Sequence, residues 1–82
     1  MIGLEFVKRA TSGDLNNDTT TGYYFINTWS GHINGPASVN GIGALLVFNI
    51  QMSSTCVCQL LILNTGMYSR RYWDGSWSEW KL

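Results

Sequence analysis

The residues best equipped for chemistry crowd positions 67–82, where Tyr68, Arg70, Arg71, Tyr72, Trp73, Asp74, Trp77 and Trp80 stand among small or polar residues. Side chains of these types recognise sugars. Indole and phenol rings stack on the C–H faces of pyranoses, and nearby Arg, Asp and Asn groups bind hydroxyls or anionic substituents. Successive side chains of a strand take opposite faces, so Tyr68, Arg70 and Tyr72 share one face and Arg71 and Trp73 the other. One face must be core, which leaves one set for a ligand. Trp73 and Asp74 stand at a turn, and Arg71 carries a charge suited to lipopolysaccharide phosphates or teichoic acids. Upstream, Trp29 and His32 flank the start of a glycine-rich loop and form a second candidate position. Trp77 and Trp80 read as core or subunit-interface residues, and Arg70 as a structural guanidinium that pairs with a carboxylate or packs flat over an indole.

Catalysis finds little to work with. Glycan cleavage needs two carboxylates about 5–10 Å apart in a cleft. The acids are Glu5, Asp14, Asp18, Asp74 and Glu79, most of them beside turn or strand-end signals. A single histidine offers no Ser-His-Asp or Cys-His set, and no phosphate loop is present. Cys56 and Cys58 sit at i and i+2 of a strand-like run, on one face and about 6.6 Å apart. That separation lies at the far edge of disulfide geometry, and two thiols with the distant His32 make no zinc site. The expectation is a protein that is not an enzyme and carries no metal or cofactor.

Composition sets the class of partner. The chain has 82 residues, enough for one small domain, and its five basic and five acidic side chains cancel. With 45% hydrophobic residues and no net charge, it is poorly hydrated for a free monomer. Oligomerisation, or attachment to a larger assembly, is expected. A nucleic-acid partner is not, since phosphate neutralisation needs clustered Lys and Arg. No signal peptide is visible, and the apolar runs are too short for membrane insertion.

The positioning elements are short strands separated by turns. Asp74-Gly75 between two aromatic runs predicts a type I′ turn, in which both central residues take positive φ. Residues 1–10 predict a leading strand or a junction, and 11–21 a polar block of turns that Leu15 pins to the core. Residues 23–29 predict a strand that is apolar on both faces, followed by a long loop over 30–41. Residues 43–51 predict a central strand with Ala44, Leu46, Phe48 and Ile50 on one side and Leu45 and Val47 on the other. A turn over 52–55 leads to a buried strand over 56–63, and Asn64-Thr65-Gly66 connects onward with Gly66 left-handed. No window has a sustained helical period. The fold class expected is all-β: a small antiparallel sheet or sandwich with long loops and at most one helical turn in the 11–21 block.

Three stretches in order resemble a known module: Asp14-Leu-Asn…Thr20-Thr-Gly22-Tyr23-Tyr, then Gly35-Pro36…Gly43-Ala-Leu-Leu-Val, then Gln59…Met67-Tyr-Ser-Arg70…Gly75-Ser-Trp77-Ser-Glu-Trp80. Together they are similar to the pyocin knob domain, from the C-terminus of tail fibres of contractile bacteriocins and phages. The resemblance implies a lead-in over residues 1–13 and a β knob over 14–82. It assigns motif roles to Gly22, Tyr23, Gln59, Arg70, Gly75, Trp77 and Trp80. It further implies a homotrimer at a fibre tip of the virion, joined to a preceding fibre segment or another virion protein and either engaging bacterial surface polysaccharide or presenting a neighbouring tip domain that does so. Thr21 replaces a proline frequent in the family, and Arg71 and Trp73 exceed the motif. A purely structural trimerisation module is the alternative.

Overall fold

A computed structural model of the chain describes residues 6–11, 13–30, 32–51 and 55–82. Glu5, the first half of the expected leading strand and residues 52–54 of the expected turn lie outside the described residues. The strands are β1 (Lys8–Arg9), β2 (Gly22–Asn27), β3 (Ile42–Gln51), β4 (Thr55–Leu63), β5 (Gly66–Trp73) and β6 (Ser76–Trp77), with one 3₁₀ turn at Thr28–Ser30. They form a single six-stranded sheet in chain order. The all-β class expected from the sequence is therefore the class observed, as a sheet and not a sandwich.

Short connections explain the single layer. Leu63 pairs with Gly66 and Trp73 with Ser76, so β4–β5 and β5–β6 are hairpins closed by two residues. Such turns return the chain into its own sheet and leave no length for a crossover to a second one. Asp74 and Gly75 have φ of 52° and 91°, the two positive values of a type I′ turn. Gly66 takes a positive φ of 158°, in the range that other residues rarely adopt, but it already pairs with Leu63, so Asn64-Thr65 alone make the turn. The leading strand departs from expectation. β1 runs parallel to β2, because the long connection over 10–21 allows a parallel return that a tight hairpin would not.

The sheet has two unlike faces. On one, Tyr24, Ile26, Leu45, Val47, Val57, Leu61 and Leu63 form the core, closed over by Leu15 from the 11–21 block. Polar atoms hold that cover in place. The Tyr24 hydroxyl donates to the Thr20 carbonyl (3.0 Å), Asn49 Nδ2 donates to the Thr19 carbonyl (2.9 Å), and Thr11 Oγ1 donates to Asp18 Oδ2 (2.6 Å). On the other face, register lines up Phe25, Ala44, Ile62 and Met67 in one row and Tyr23, Leu46 and Leu60 in the next. Ile50, Cys56 and Trp73 form the row nearest the Asp74–Gly75 turn. Phe25 is 54% exposed and Ile50, Met67 and Trp73 about as much, so this apolar face is open at its margins, while Ala44, Leu46, Phe48 and Leu60 are half-buried and Cys56 is buried. Of the first segment, Phe6 touches it, stacking on Phe48 and Tyr23 at ring separations of 5.2 and 6.0 Å.

Gly22 is required where the first segment crosses β2. Its φ is +148°, and a Cβ there would stand 2.5 Å from the Val7 carbonyl oxygen. The Tyr23 amide donates to that same carbonyl (3.0 Å).

Candidate functional site

β5 alternates strictly, its half-buried side chains on the core face and its exposed ones on the open face. The core set is Tyr68, Arg70 and Tyr72, and the open set is Met67, Ser69, Arg71 and Trp73. Tyr68 and Tyr72 pack against the core. Both belong to the site set expected from the sequence, and β5 directs them away from Arg71 and Trp73.

Arg70 organises the core side of the C-terminal ribbon. Its guanidinium carbon lies 3.9 Å from the ring centre of Trp77 and 4.5 Å from that of Trp80, so two indoles stack on one cation. Its Nε donates to Gln59 Oε1 (2.7 Å), and Gln59 Nε2 donates to the carbonyls of Leu15 (2.6 Å) and Asp18 (2.9 Å). Gln59 is 1% exposed, so each bond saves a large desolvation cost. Burial pushes the Arg70 guanidinium down to about 10, and Asp14 opposes that shift; the group is charged at neutral pH. Trp77 also meets Tyr72 edge-on at 5.3 Å, and Trp80 Nε1 donates to the Asn34 carbonyl (2.9 Å). The motif residues Gln59, Arg70, Trp77 and Trp80 thus form one connected structural unit.

The open-face set gives onto a groove. After β6 the chain departs from the ladder and rejoins it at Lys81, which bridges Ser69. The Ser69 amide donates to the Lys81 carbonyl (2.8 Å), and the Lys81 amide donates back (2.9 Å). Ser78 Oγ accepts from the Arg71 amide (2.9 Å), and the Ser78 amide donates to the Arg71 carbonyl (2.7 Å). Bridged residues share a face, so Lys81 stands diagonally across from Arg71, a relation that separates residues by about 7–8 Å. Both cations line a groove of about 480 Å³ together with Ser69, Ser78, Phe48 and Leu60. Two positive charges and two hydroxyls above an apolar floor suit an anionic group carried on a ring with an apolar face. Glu79 lines the groove as well and tempers its charge.

Trp29 and His32 lie elsewhere. β2 ends at Asn27, which pairs with Ile42, whereas Trp73 pairs with Cys56 at the far end of β4. The two candidate clusters therefore occupy opposite ends of the sheet. Trp29 is 61% exposed. His32 Nδ1 donates to the Asn27 carbonyl (2.6 Å), and its Nε2 lies buried with no partner. The ring lines a polar pocket of about 230 Å³ with Asn34, Ser38 and Asn40. Asp74, in the turn, is exposed.

Lys81, Ser69 and Ser78 were not singled out by sequence reasoning. Ser69 could have been, as it alternates with Arg71 on one strand. Lys81 could not, because the departure over 78–80 breaks the period that would place it. Asp14 Oδ1 accepts from Asn34 Nδ2 (2.7 Å) and from the Asn16 amide (2.9 Å), and these bonds hold its carboxyl below the usual value. Asp14 is thus tied into loop structure. Among the described residues no three His, Cys, Asp or Glu side chains gather around a possible metal position, and no helix is long and apolar enough to cross a membrane. Cys56 and Cys58 are free thiols.

No family model matches the chain, and neither a curated protein nor a solved structure matches it.

Proposed function

We infer that the chain is a non-enzymatic knob of a phage or phage-like tail fibre, acting in attachment to the host surface by binding an anionic bacterial glycan. The observation that carries this reading is the groove in which Arg71, Lys81, Ser69 and Ser78 stand over Phe48 and Leu60. Charged hydrogen bonds to Arg71 and Lys81 would fix the acidic substituent, while the apolar floor and the neighbouring Trp73 would take the sugar ring. The ordered likeness to pyocin knob motifs supports a place at a fibre tip, in a homotrimer joined to a preceding fibre segment. Such a protein resides on the virion and is extracellular after release.

An array of acidic and neutral bacterial polysaccharides tests the reading. Binding to phosphate- or uronate-bearing glycans is expected, weakened about 10-fold or more by Arg71→Ala or Lys81→Ala. A folded protein that binds no glycan and no cells overturns it. That result would favour a second reading, a structural trimerisation or attachment module without receptor contact, for which the exposed margins of the apolar face speak.

A further inference from the structure

We propose that the cleft between the C-terminal ribbon and the 11–21 block is a binding site for a neutral, hydroxyl-bearing ring, a hexose or a cyclic polyol. The site is separate from the Arg71–Lys81 groove, and the proposal stands whether or not that groove takes an acidic glycan.

Strand register builds the floor. Asn49 pairs with Val57, Val57 with Tyr72, and Tyr72 with Trp77, so these four side chains form one row across β3, β4, β5 and β6. Directly paired residues share a face, and the buried Val57 puts this row on the core side. One row further in, Val47, Gln59 and Arg70 are closed over, because Gln59 donates to the carbonyls of Leu15 and Asp18. The outer row is not closed. Asn49, Tyr72 and Trp77 are half-buried, and a cleft of about 270 Å³ separates them from Asn16 and Thr19 of the block.

Two acceptors in the lining stand without donors. Asn49 Nδ2 donates to the Thr19 carbonyl (2.9 Å), which fixes the carboxamide and leaves its Oδ1 as an acceptor. That oxygen is buried and meets no donor among the described residues, and Asn16 Oδ1 is in the same position. A buried acceptor in this state keeps its desolvation cost uncompensated. Two of them in one cleft mark where a ligand's O–H groups would gain most.

The rest of the lining sets the class of ligand. It carries no charged side chain among the described residues, so it holds nothing to clamp an anion. The Arg70 guanidinium lies 3.9 Å from the Trp77 ring centre and disfavours a cation nearby. Tyr72 and Trp77 meet edge-on at 5.3 Å and give two adjoining aromatic walls, against which the C–H face of a pyranose packs. The volume falls just short of the roughly 300–1,000 Å³ of pockets for drug-sized ligands, which suits one ring and not a chain of them. Water alone can satisfy the two oxygens but gains nothing from the aromatic walls. A ring with hydroxyls on its rim and C–H groups on its face uses both.

Two-dimensional NMR of the isotope-labelled full chain tests this, with glucose, galactose, mannose, N-acetylglucosamine and myo-inositol as probes. At least one probe is expected to shift the side-chain amide signals of Asn16 and Asn49 and the Trp77 indole N–H, with a dissociation constant of about 1–10 mM. Asn16→Ala should weaken that binding about 10-fold, and Asn16→Asp, which keeps an acceptor, should weaken it less. The wild-type shifts need no variant and stand if either substitution disturbs the fold. If no probe moves the cleft signals at about 100 mM, the oxygens hold water only and the proposal is overturned. Shifts confined to Ser69, Arg71 and Lys81 overturn it too, since they put the sugar in the groove and leave the reading of that groove intact. So do cleft shifts indifferent to Asn16→Ala in a folded variant. Cleft shifts that persist in Arg71→Ala support it, even where the acidic glycans fail to bind.

Discussion

The two faces of the sheet carry similar side chains with opposite fates. Leu45, Val47 and Leu61 are fully buried, whereas Phe25, Ile50 and Met67, one residue away in register or phase, are about half exposed. Hydrophobicity alone does not decide between them. What decides is the polar cover: Gln59, Tyr24 and Asn49 reach up from the core side and tie the 11–21 block down by its carbonyls. Among the described residues no comparable set rises from the other side. The lesson is that buried polar residues can choose which apolar face of a strand becomes core.

The largest expected effect falls on the covered face. Leu61→Ala removes a fully buried side chain and leaves a cavity, at a cost of about 2–5 kcal/mol in urea unfolding. A loss below about 1 kcal/mol would erase the contrast with the opposite face. Next comes Arg70→Ala, which strips two indoles of their shared cation and strands Gln59 Oε1; a destabilisation of about 2 kcal/mol is expected. Arg70→Lys should recover only part of it, since an ammonium cannot both stack as a plane and reach Gln59 in the same geometry. Thermal melts of the pair would show this.

Phe25→Ala sharpens the comparison from the other side. At concentrations below self-association it should shift stability by no more than about 0.5 kcal/mol, the range of ordinary surface changes. The smallest effect is on pH dependence. The Asp14 carboxyl, held low mainly by the Asn34 and Asn16 bonds, contributes stability that is present above its unfolded value near about 3.9 and lost as pH falls through the lower folded value. Asp14→Asn should therefore flatten the acid limb of the stability profile and leave neutral pH nearly unchanged. An acid limb of unaltered steepness would remove Asp14 from the account.

Much of this was legible in the residues. The alternation in β3, β4 and β5, the Asp74-Gly75 turn and the anchoring role of Leu15 all follow from pattern and turn chemistry. Which side of each strand became core did not, because it depends on Gln59, a single polar residue inside an apolar run whose partners lie more than 40 positions upstream. The groove was half legible. Arg71 and Trp73 share a face by period alone, but Lys81 joins them only after the chain leaves the ladder and returns. Gly66 shows the limit of turn rules, since two residues sufficed where three were expected.

The order of the strands along the sheet also has a kinetic consequence. From β2 to β6 every neighbour in space is the next in sequence, so the ladder can zip one hairpin at a time with little loop-closure entropy to overcome. The lid over the core must wait, because Leu15 meets Gln59 across 44 positions. For that interval the newborn sheet is greasy on both sides, and crowded nascent chains can adhere by the wrong one before Leu15 arrives.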